Sequence, residues 1–161
     1  MALFLSKSVN KIDRKGRVSV PAAFRAALGT EISEGVALMP SLREDCCVEG
    51  CGMSRIALYA EMLEELNPLS EERAALETAV LADMRVAQFD SEGRIVLPEE
   101  FIELAQLEDQ ALFAGLGKVF QIWNPAVYEE HRARARELAR KNISQLPWAG
   151  GRGKQGGGAE Q

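Results

Sequence analysis

Two segments of this chain carry the same pattern of residues, and this internal repeat limits the folds that the chain can adopt. Residues 12–28 read IDRKGRVSVPAAFRAAL and residues 89–105 read FDSEGRIVLPEEFIELA, an offset of 77 positions. Asp, Gly, Arg, Pro and Phe recur at the same places, with aliphatic residues between them. Such a pattern is typical of one supersecondary unit used twice. We therefore expect two similar halves that pack against each other.

Each copy predicts a β-hairpin followed by a short helix. Asp13 and Gly16 occupy the first and fourth positions of a type I turn that ends on a left-handed glycine, and short β-rich runs flank them. Pro21 suits the first turn of a helix, and Gly29 suits its C-terminal cap. Pro98 starts the helix of the second copy in the same way.

The segments that follow these helices also correspond. GVALM at 35–39 matches QALFA at 110–114, and IALYAEMLEEL at 56–66 matches FQIWNPAVYEE at 120–130. The offset falls from 75 to 64 between these two matches, so the first copy holds an insertion of 75 − 64 = 11 residues. We assign the insertion to SLREDCCVEGCG at 41–52 and expect a surface loop there.

Two further helices complete the predicted set of elements. Residues 70–87 have apolar residues at a helical period, with Ser70 as the N-cap. Asn124 and Pro125 start a helix that extends to about residue 144. The glycine-rich segment at 149–161 predicts disorder.

The two copies differ in charge. Residues 7–25 hold six basic residues and one acid, a net charge of 6 − 1 = +5, whereas residues 84–102 hold two basic and four acidic residues, a net charge of 2 − 4 = −2. The whole chain has a net charge of −5, which repels phosphates over most of the surface. We therefore expect any binding of nucleic acid to be local and confined to the first copy.

Four cations around the first turn are the candidate DNA contacts. Lys11, Arg14 and Lys15 are candidates for binding phosphates. Arg17 is the candidate for reading bases, because its planar guanidinium can bond two acceptors at once. A two-stranded ribbon fits the major groove, so a hairpin suits this task.

A structural role for Arg17 is the alternative. Arg94 stands in the same relation to Asp90 as Arg17 does to Asp13, although the second copy is not basic. The shared spacing predicts two structural pairs, Asp13 with Arg17 and Asp90 with Arg94, each bracing its own turn. The lysines likewise are open to interpretation as a solvated basic turn.

The sequence gives little support to other chemistry. Cys46, Cys47 and Cys51 lack the paired knuckles of a structural zinc site, and the one histidine, His131, is far along the chain. No nucleophile with a base stands out, and Gly115–Lys118 lacks the residues of a phosphate-binding loop. We therefore expect no enzyme activity, no catalytic residue, no metal and no cofactor.

The basic run RARARELARK at 132–141 allows two interpretations. It forms a second nucleic-acid surface, or its charges pair along a helix with Glu129, Glu130 and Glu137. The spacing of three and four residues favours pairing. No apolar stretch is long enough to cross a membrane, and the N-terminus has no signal-peptide core, so we expect a soluble, cytoplasmic protein.

Together these motifs resemble the MraZ family of bacterial transcriptional regulators. The marks are two copies of Asp-x-x-Gly-Arg, at 13–17 and 90–94, each followed by an aliphatic run, a proline-started helix, a strand and a helix. The resemblance covers residues 1 to about 146. The chain departs from the family pattern in the cysteine-bearing insertion and in Ser91 and Glu92, which replace Arg14 and Lys15.

The resemblance implies a fold and a set of partners. It implies an α+β fold in which two AbrB-like units form one pseudo-two-fold, duplicated swapped-hairpin β-barrel with peripheral helices. It implies a ring-like homo-oligomer that binds double-stranded DNA at promoter direct repeats, upstream of the division and cell-wall gene cluster. The expected place is the nucleoid, with no membrane partner and no small-molecule substrate.

On this basis we divide the chain into five segments: a first AbrB-like repeat at 1–67, a linking helix at 68–86, a second repeat at 87–130, a C-terminal helix at 131–148 and a disordered tail at 149–161. The expected function is sequence-specific binding of double-stranded DNA for transcriptional control. The alternative is an oligomeric scaffold or protein-interaction module that does not bind DNA.

Overall fold

The structure is a computed structural model that describes residues 2–148, so the disorder predicted for 149–161 lies outside the described residues. One compact unit ends at Val127 and a second starts at Tyr128. The elements that start in the first unit are β1 (Lys7–Lys11), β2 (Arg17–Ser19), α1 (Ala22–Leu28), β3 (Val36–Pro40), β4 (Val48–Cys51), α2 (Met53–Glu64), α3 (Glu71–Glu77), β5 (Arg85–Ala87), β6 (Arg94–Val96), α4 (Glu99–Leu104), β7 (Gln110–Gly115), β8 (Phe120–Trp123) and α5 (Pro125–Asn142). This mixture of helices and antiparallel strands confirms the predicted α+β class.

The strands form two antiparallel sheets. One sheet has six strands in the order β1-β7-β8-β4-β3-β5, and the other pairs β2 with β6. The halves of the chain exchange strands: β1 pairs with β7, with Lys7 opposite Ala114, and β5 pairs with β3, with Ala87 opposite Val36. Because β1 corresponds to β5, β3 to β7 and β4 to β8 in the repeat, the strand order is the same from either edge.

The sheets do not close into a barrel, so the expected barrel is corrected. β1 and β5 are the edges of the six-stranded sheet. β2 belongs to the other sheet and is linked to β1 by the bridge between Ile12 and Val18 and by a hydrogen bond from Asn10 Nδ2 to the Ser19 carbonyl. The reason is the shortness of β2 and β6. Pro21 and Pro98 have no N–H to extend a ladder and start helices instead, so each strand has only three residues.

The hydrophobic core is built around aromatic rings from both halves. Phe4, Phe24, Phe113 and Phe120 contact one another with ring centroids 5.1–6.3 Å apart. Phe24 on α1 and Phe101 on α4 are the repeated phenylalanines of the sequence pattern, and both are buried in the same cluster. The recurring Phe therefore anchors each helix against the sheet.

The predicted starts of three helices are confirmed. Pro21 and Pro98 are the N-caps of α1 and α4, and Gly29 caps the end of α1 with φ of +60°. The Ser70 hydroxyl accepts a hydrogen bond from the Arg73 N–H at the start of α3. The helix expected over 70–87 is shorter than predicted, because α3 passes into a π-helix at Thr78–Ala82 and the last residues form β5.

The surface loop predicted at 41–52 is wrong for residues 48–51, whereas residues 41–47 lie outside any helix or strand. Residues Val48–Cys51 are β4, which lies inside the six-stranded sheet between β8 and β3. Cys47 and Cys51 are buried, and burial raises the pKa of both thiols, that of Cys51 to about 12.

The error came from the residues that were matched between the copies. The pattern paired Leu58 and Tyr59 with the strand residues Ile122 and Trp123, but Leu58 and Tyr59 lie on α2. In the element order of the structure, β4 of the first copy corresponds to β8 of the second, and α2 corresponds to α5. The apolar residues of β4 are only Val48 and Cys51, with Glu49 and Gly50 between them, so the strand resembles a loop in the sequence.

The second unit continues α5 to Asn142, and a 3-10 helix follows at Ile143–Gln145. The described length of α5 buries no side chain. Within the basic run, Lys141 Nζ lies 3.8 Å from Glu137 Oε1, one of the pairings that the sequence favoured. None of the helices within residues 2–148 combines the length and apolar composition needed to cross a membrane.

The position of β4 predicts unequal effects of cysteine substitution. Cys47→Ser and Cys51→Ser should each lower the free energy of unfolding by about 1–3 kcal/mol, because each places a hydroxyl in a buried site. Cys46→Ser, at the half-buried neighbour, is the matched control and should change it by less than about 0.5 kcal/mol. Urea unfolding followed by circular dichroism measures all three. Equal effects at the three positions would contradict a buried β4.

Candidate nucleic-acid interface

The first turn, residues 13–16, is organised by one carboxylate. Asp13 Oδ1 accepts hydrogen bonds from the N–H groups of Lys15 and Arg17, both at 2.9 Å, and Asp13 Oδ2 accepts from Arg17 Nε at 2.6 Å. The Gly16 N–H donates to the Asp13 carbonyl, and Gly16 has φ of +80°. A side chain at this left-handed position would be strained, which explains the repeated glycine.

The second turn, residues 90–93, has the same construction. Asp90 Oδ1 accepts from the N–H groups of Glu92 and Arg94 at 2.8 and 2.9 Å, and Arg94 Nε donates to Asp90 Oδ2 at 2.8 Å. Gly93 has φ of +78°. The structure therefore brings together each Asp with the Arg four residues later, as the repeated spacing requires.

These hydrogen bonds shift the ionisation of both aspartates. The pKa of Asp13 lies below its ordinary value, above all because the Arg17 N–H donates to the carboxylate, and also because the Arg17 side chain and the Lys15 N–H donate to it. The pKa of Asp90 is lowered in the same way, with the Arg94 N–H as the main cause. Both turns therefore hold their carboxylates charged at neutral pH.

The two turns are joined through the pairing of β2 with β6, which we call the ribbon. Arg17 lies opposite Val96, and Ser19 lies opposite Arg94. These four residues alternate with the buried pair formed by Val18 and Ile95, so they share the outer face of the ribbon.

Each turn also binds the other half of the chain through a glycine carbonyl. The Gly16 carbonyl accepts from the Leu97 N–H at 2.8 Å, and the Gly93 carbonyl accepts from the Val20 N–H at 3.2 Å. The turns are consequently fixed relative to each other by the ribbon and by these two reciprocal hydrogen bonds.

The cations of the first turn are open to a ligand. Lys11, Arg14 and Lys15 are exposed, and within residues 2–148 none of them has an ion pair. Arg17 is half-buried and uses Nε for Asp13, while its two terminal nitrogens have no hydrogen bond to a described residue. The brace therefore leaves the bidentate edge of Arg17 available.

The second turn differs at this point. Arg94 Nη2 lies 3.2 Å from Glu92 Oε2, so the acid that replaces Lys15 engages the terminal edge of this arginine. The hydrogen bond with Asp90 raises the pKa of Arg94, and Glu92 adds to the effect. The electrostatic difference between the copies is thus also a difference in the availability of the arginine.

Arg25 takes part in this arrangement, which the sequence pattern did not reveal. Its Nε donates to the Val20 carbonyl at 3.2 Å, and its guanidinium lies against Gly93, where a Cβ would be only 2.6 Å from Cζ. Ile102, the residue that corresponds to Arg25 in the second copy, packs near Gly16. The available signal was this contrast between an arginine and an isoleucine at matching positions.

The cysteines are the remaining candidates for a metal site or a nucleophile. Residues 2–148 contain no group of three His, Cys, Asp or Glu side chains placed to hold a metal ion. Cys47 and Cys51 are buried, and desolvation is the main cause that raises the pKa of each thiol. Buried thiols with raised pKa values are poor nucleophiles and poor metal ligands.

The chain is similar to known proteins of one family. A family model described as "MraZ protein, putative antitoxin-like" matches residues 81–145. Proteins named "Transcriptional regulator MraZ" from Rickettsia akari (strain Hartford) and Rickettsia canadensis (strain McKiel) are 45% and 46% identical to this chain over 139 residues. These alignments cover 86% of this chain and 93% of each relative. A protein of the same name from Rickettsia bellii (strain RML369-C) is 46% identical over 140 residues.

The turn geometry makes a prediction about pH. Because the pKa of Asp13 and Asp90 is lowered by folding, their contribution to stability is fully present above the unfolded value of 3.8 and is lost as the pH falls through the folded pKa. Carbon-detected NMR titration of the two carboxyl groups should give midpoints below 3.8 in the native protein and close to 3.8 in urea. In Arg17→Ala, the midpoint of Asp13 should rise while that of Asp90 stays in place. Midpoints that are the same in the native protein and in urea would contradict the hydrogen-bonded turns.

Proposed function

The chain belongs to the MraZ family, and from this premise we propose that it is a transcriptional regulator that binds double-stranded DNA in a sequence-specific manner. It acts as a ring-like homo-oligomer on tandem promoter repeats, in the cytoplasm at the nucleoid, upstream of the division and cell-wall gene cluster. Residues 1–67 and 87–130 act as the two repeats, joined by 68–86. The name of the curated relatives, transcriptional regulator, supports the general part of this proposal.

The observation that carries the DNA-binding part is the terminal edge of Arg17, which has no hydrogen bond to a described residue, beside three cations that have no ion pair within residues 2–148. Lys11, Arg14 and Lys15 surround a turn whose backbone is held by Asp13. Exposed ammonium and guanidinium groups bind phosphates and position a protein on a duplex. In this proposal the same turn supplies cations that bind the phosphates of DNA and a pair of donors that can bind a base.

Arg17 reads a base in this proposal. The terminal nitrogens of an arginine match the O6 and N7 acceptors of guanine in the major groove. The hydrogen bond from Nε to Asp13 fixes the plane of the guanidinium before DNA binds, so less side-chain entropy is lost on binding. Arg17 can therefore stabilise its own turn and contact a base at the same time. The structural role and the DNA-reading role that the sequence offered as alternatives for Arg17 are compatible in this proposal.

The second turn has a supporting role. Glu92 occupies the terminal edge of Arg94 and adds a negative charge that repels phosphates. We assign Asp90 and Arg94 to holding the ribbon, on which Arg94 shares the outer face with Arg17.

Assembly compensates for the weakness of one turn. A single hairpin that neutralises about three phosphates binds DNA weakly at physiological salt. Several hairpins in one ring, contacting spaced repeats together, raise the affinity about 10²-fold or more through effective concentration. An acidic chain with a net charge of −5 thereby becomes a tight DNA binder.

Salt dependence tests the proposed DNA binding. A fragment with short direct repeats from upstream of the gene is expected to be retarded in a gel, with log K falling against log[salt] by about 0.9 per phosphate bound. Lys15→Gln should reduce this slope by about 0.9 for each hairpin engaged. Lys118→Gln, which removes an exposed lysine elsewhere, is the matched control and should leave it unchanged. A flat response to salt would favour the scaffold without DNA binding.

Base reading by Arg17 is tested by substitution. Arg17→Ala should weaken operator binding about 5- to 150-fold, the range that one bidentate contact of about 1–3 kcal/mol gives. Arg17→Lys keeps the charge but loses the planar fork, so it should retain binding to unrelated DNA and lose the preference for the operator. Fluorescence anisotropy titrations with operator and scrambled duplexes measure both effects.

Two control variants separate base reading from bracing. Asp13→Asn keeps an oxygen that can accept the two backbone N–H groups of the turn but removes the acceptor of Arg17 Nε, so its loss of operator affinity should be the smaller one. Arg94→Ala is the counterpart in the second copy and should also cost less affinity. Equal losses for Arg17→Ala and Asp13→Asn would show that Arg17 only braces its turn. Equal losses for Arg17→Ala and Arg94→Ala would contradict the asymmetry of the turns.

A further inference from the structure

An apolar groove opens on the surface of the first unit. It has a volume of about 300 Å³ and lies where α2, α3 and the π-helix meet the end of β3. Its apolar lining comes from Met39, Tyr59, Met62, Leu63, Leu76 and Val80. Met62 is 56% exposed. The described side chains of the first unit therefore leave the groove open. Arg43 and Glu49, which pair at 3.2 Å, lie at its rim.

A second apolar surface lies at the end of the second unit. Leu138, Ile143, Leu146 and Trp148 fall within eleven residues, and each is between 50 and 61% exposed. An exposed tryptophan beside three exposed aliphatic side chains is typical of a surface that binds another protein. We call residues 138–148 the C-terminal segment.

The helices beside the two surfaces have opposite net charges. Residues 53–82, which hold the helices around the groove, contain two basic and six acidic residues, a net charge of 2 − 6 = −4. Residues 131–148, which end in the C-terminal segment, contain five basic residues and one acid, a net charge of 5 − 1 = +4 with His131 neutral. A negative net charge on the helices around an apolar groove suits an apolar segment that follows a basic helix.

We propose that the C-terminal segment of one chain binds in the α2–α3 groove of a second copy. The proposal rests on the homo-oligomer of the proposed function and names the surfaces that build it. Every chain carries one groove and one segment, so the contact is heterologous. Each chain places its C-terminal segment in the groove of one neighbour and holds the segment of another neighbour in its own groove. A head-to-tail contact of this kind forms a ring when the rotation between neighbours closes.

The occupant follows from complementarity within one sequence. The groove is apolar and the helices around it are acidic. The chain itself offers an apolar segment at the end of a basic helix, α5, which buries none of its described side chains. The same contact also gives the basic run at 132–141 a role without DNA, because the arginines of the run then face the acidic helices of a neighbour.

Two matched double variants test the contact. Met62→Glu with Leu76→Glu changes the groove, and Leu146→Glu with Trp148→Glu changes the segment. All four side chains are exposed, so the variants should keep the native unfolding temperature. Leu5→Glu with Leu116→Glu changes two exposed apolar residues outside both surfaces and is the control. Sedimentation velocity without DNA gives the mass of each assembly.

The expected result has three parts. The native chain and the control sediment as closed oligomers, and each of the two test variants sediments as a single chain of about 17.6 kDa. A mixture of the two test variants forms dimers and nothing larger, because one intact groove meets one intact segment and the remaining pair is blocked on both sides. Such limited complementation is specific to a head-to-tail contact.

Other outcomes overturn the proposal. A native chain that is monomeric, a test variant that stays assembled, or a mixture that remains monomeric would each show that the groove and the segment do not bind each other. If the variant changed at Leu146 and Trp148 keeps its mass and loses affinity for DNA, the C-terminal helix is a nucleic-acid surface instead.

DNA binding is measured separately, so that failure of this inference is distinguishable from failure of the proposed function. On a duplex with one repeat, the monomeric variants should bind as the native chain does per site. On a duplex with tandem repeats, they should bind about 10²-fold more weakly or worse, because multivalency is lost. Native protein that fails to bind either duplex would refute the proposed function while leaving the assembly result intact.

Discussion

The carboxylate at the start of each turn is the interaction on which the rest of the structure depends. Asp13 and Asp90 each accept two backbone N–H groups and one arginine, which fixes the turn and sets the direction of the strand that leaves it. That strand then pairs across to the other half, and each turn glycine accepts a hydrogen bond from the opposite chain segment. A defect in one turn is therefore a defect in both halves.

Much of this fold could be predicted, because the repeated residues act locally. Asp, Gly and Pro determine turns and helix starts within four or five residues of themselves, and those features were confirmed at 13–29 and 90–98. The strand β4 was missed because one of its neighbours in the sheet, β8, is distant in sequence and because its glycine, glutamate and cysteine resemble a loop. The closed barrel was expected from family resemblance, and three-residue strands that end at prolines do not provide it.

At the candidate site, too, the local contacts could be predicted from the sequence and the contacts between distant residues could not. The pairing of Asp with Arg follows from spacing, and the sequence alone sufficed to select Lys11, Arg14, Lys15 and Arg17 as a group. The position of Arg25 could not be predicted, because its partner Gly93 lies 93 − 25 = 68 residues away and is reached only through the exchange of strands. The role of the four cations in DNA binding stays a prediction.

Strand exchange also changes the meaning of the charge difference between the copies. A count along the sequence assigns Arg25 to the basic copy, but in space its guanidinium covers the turn of the acidic copy. The difference in charge is consequently concentrated at the tips, where Arg14 and Lys15 in one turn stand against Ser91 and Glu92 in the other. The bodies of the two turns are nearly equivalent, since both need the same carboxylate to hold their shape. In the proposed function, both copies of the duplicated unit are kept for architecture, and the two residues that differ at the tip of the turn assign the contact with DNA to the first copy alone.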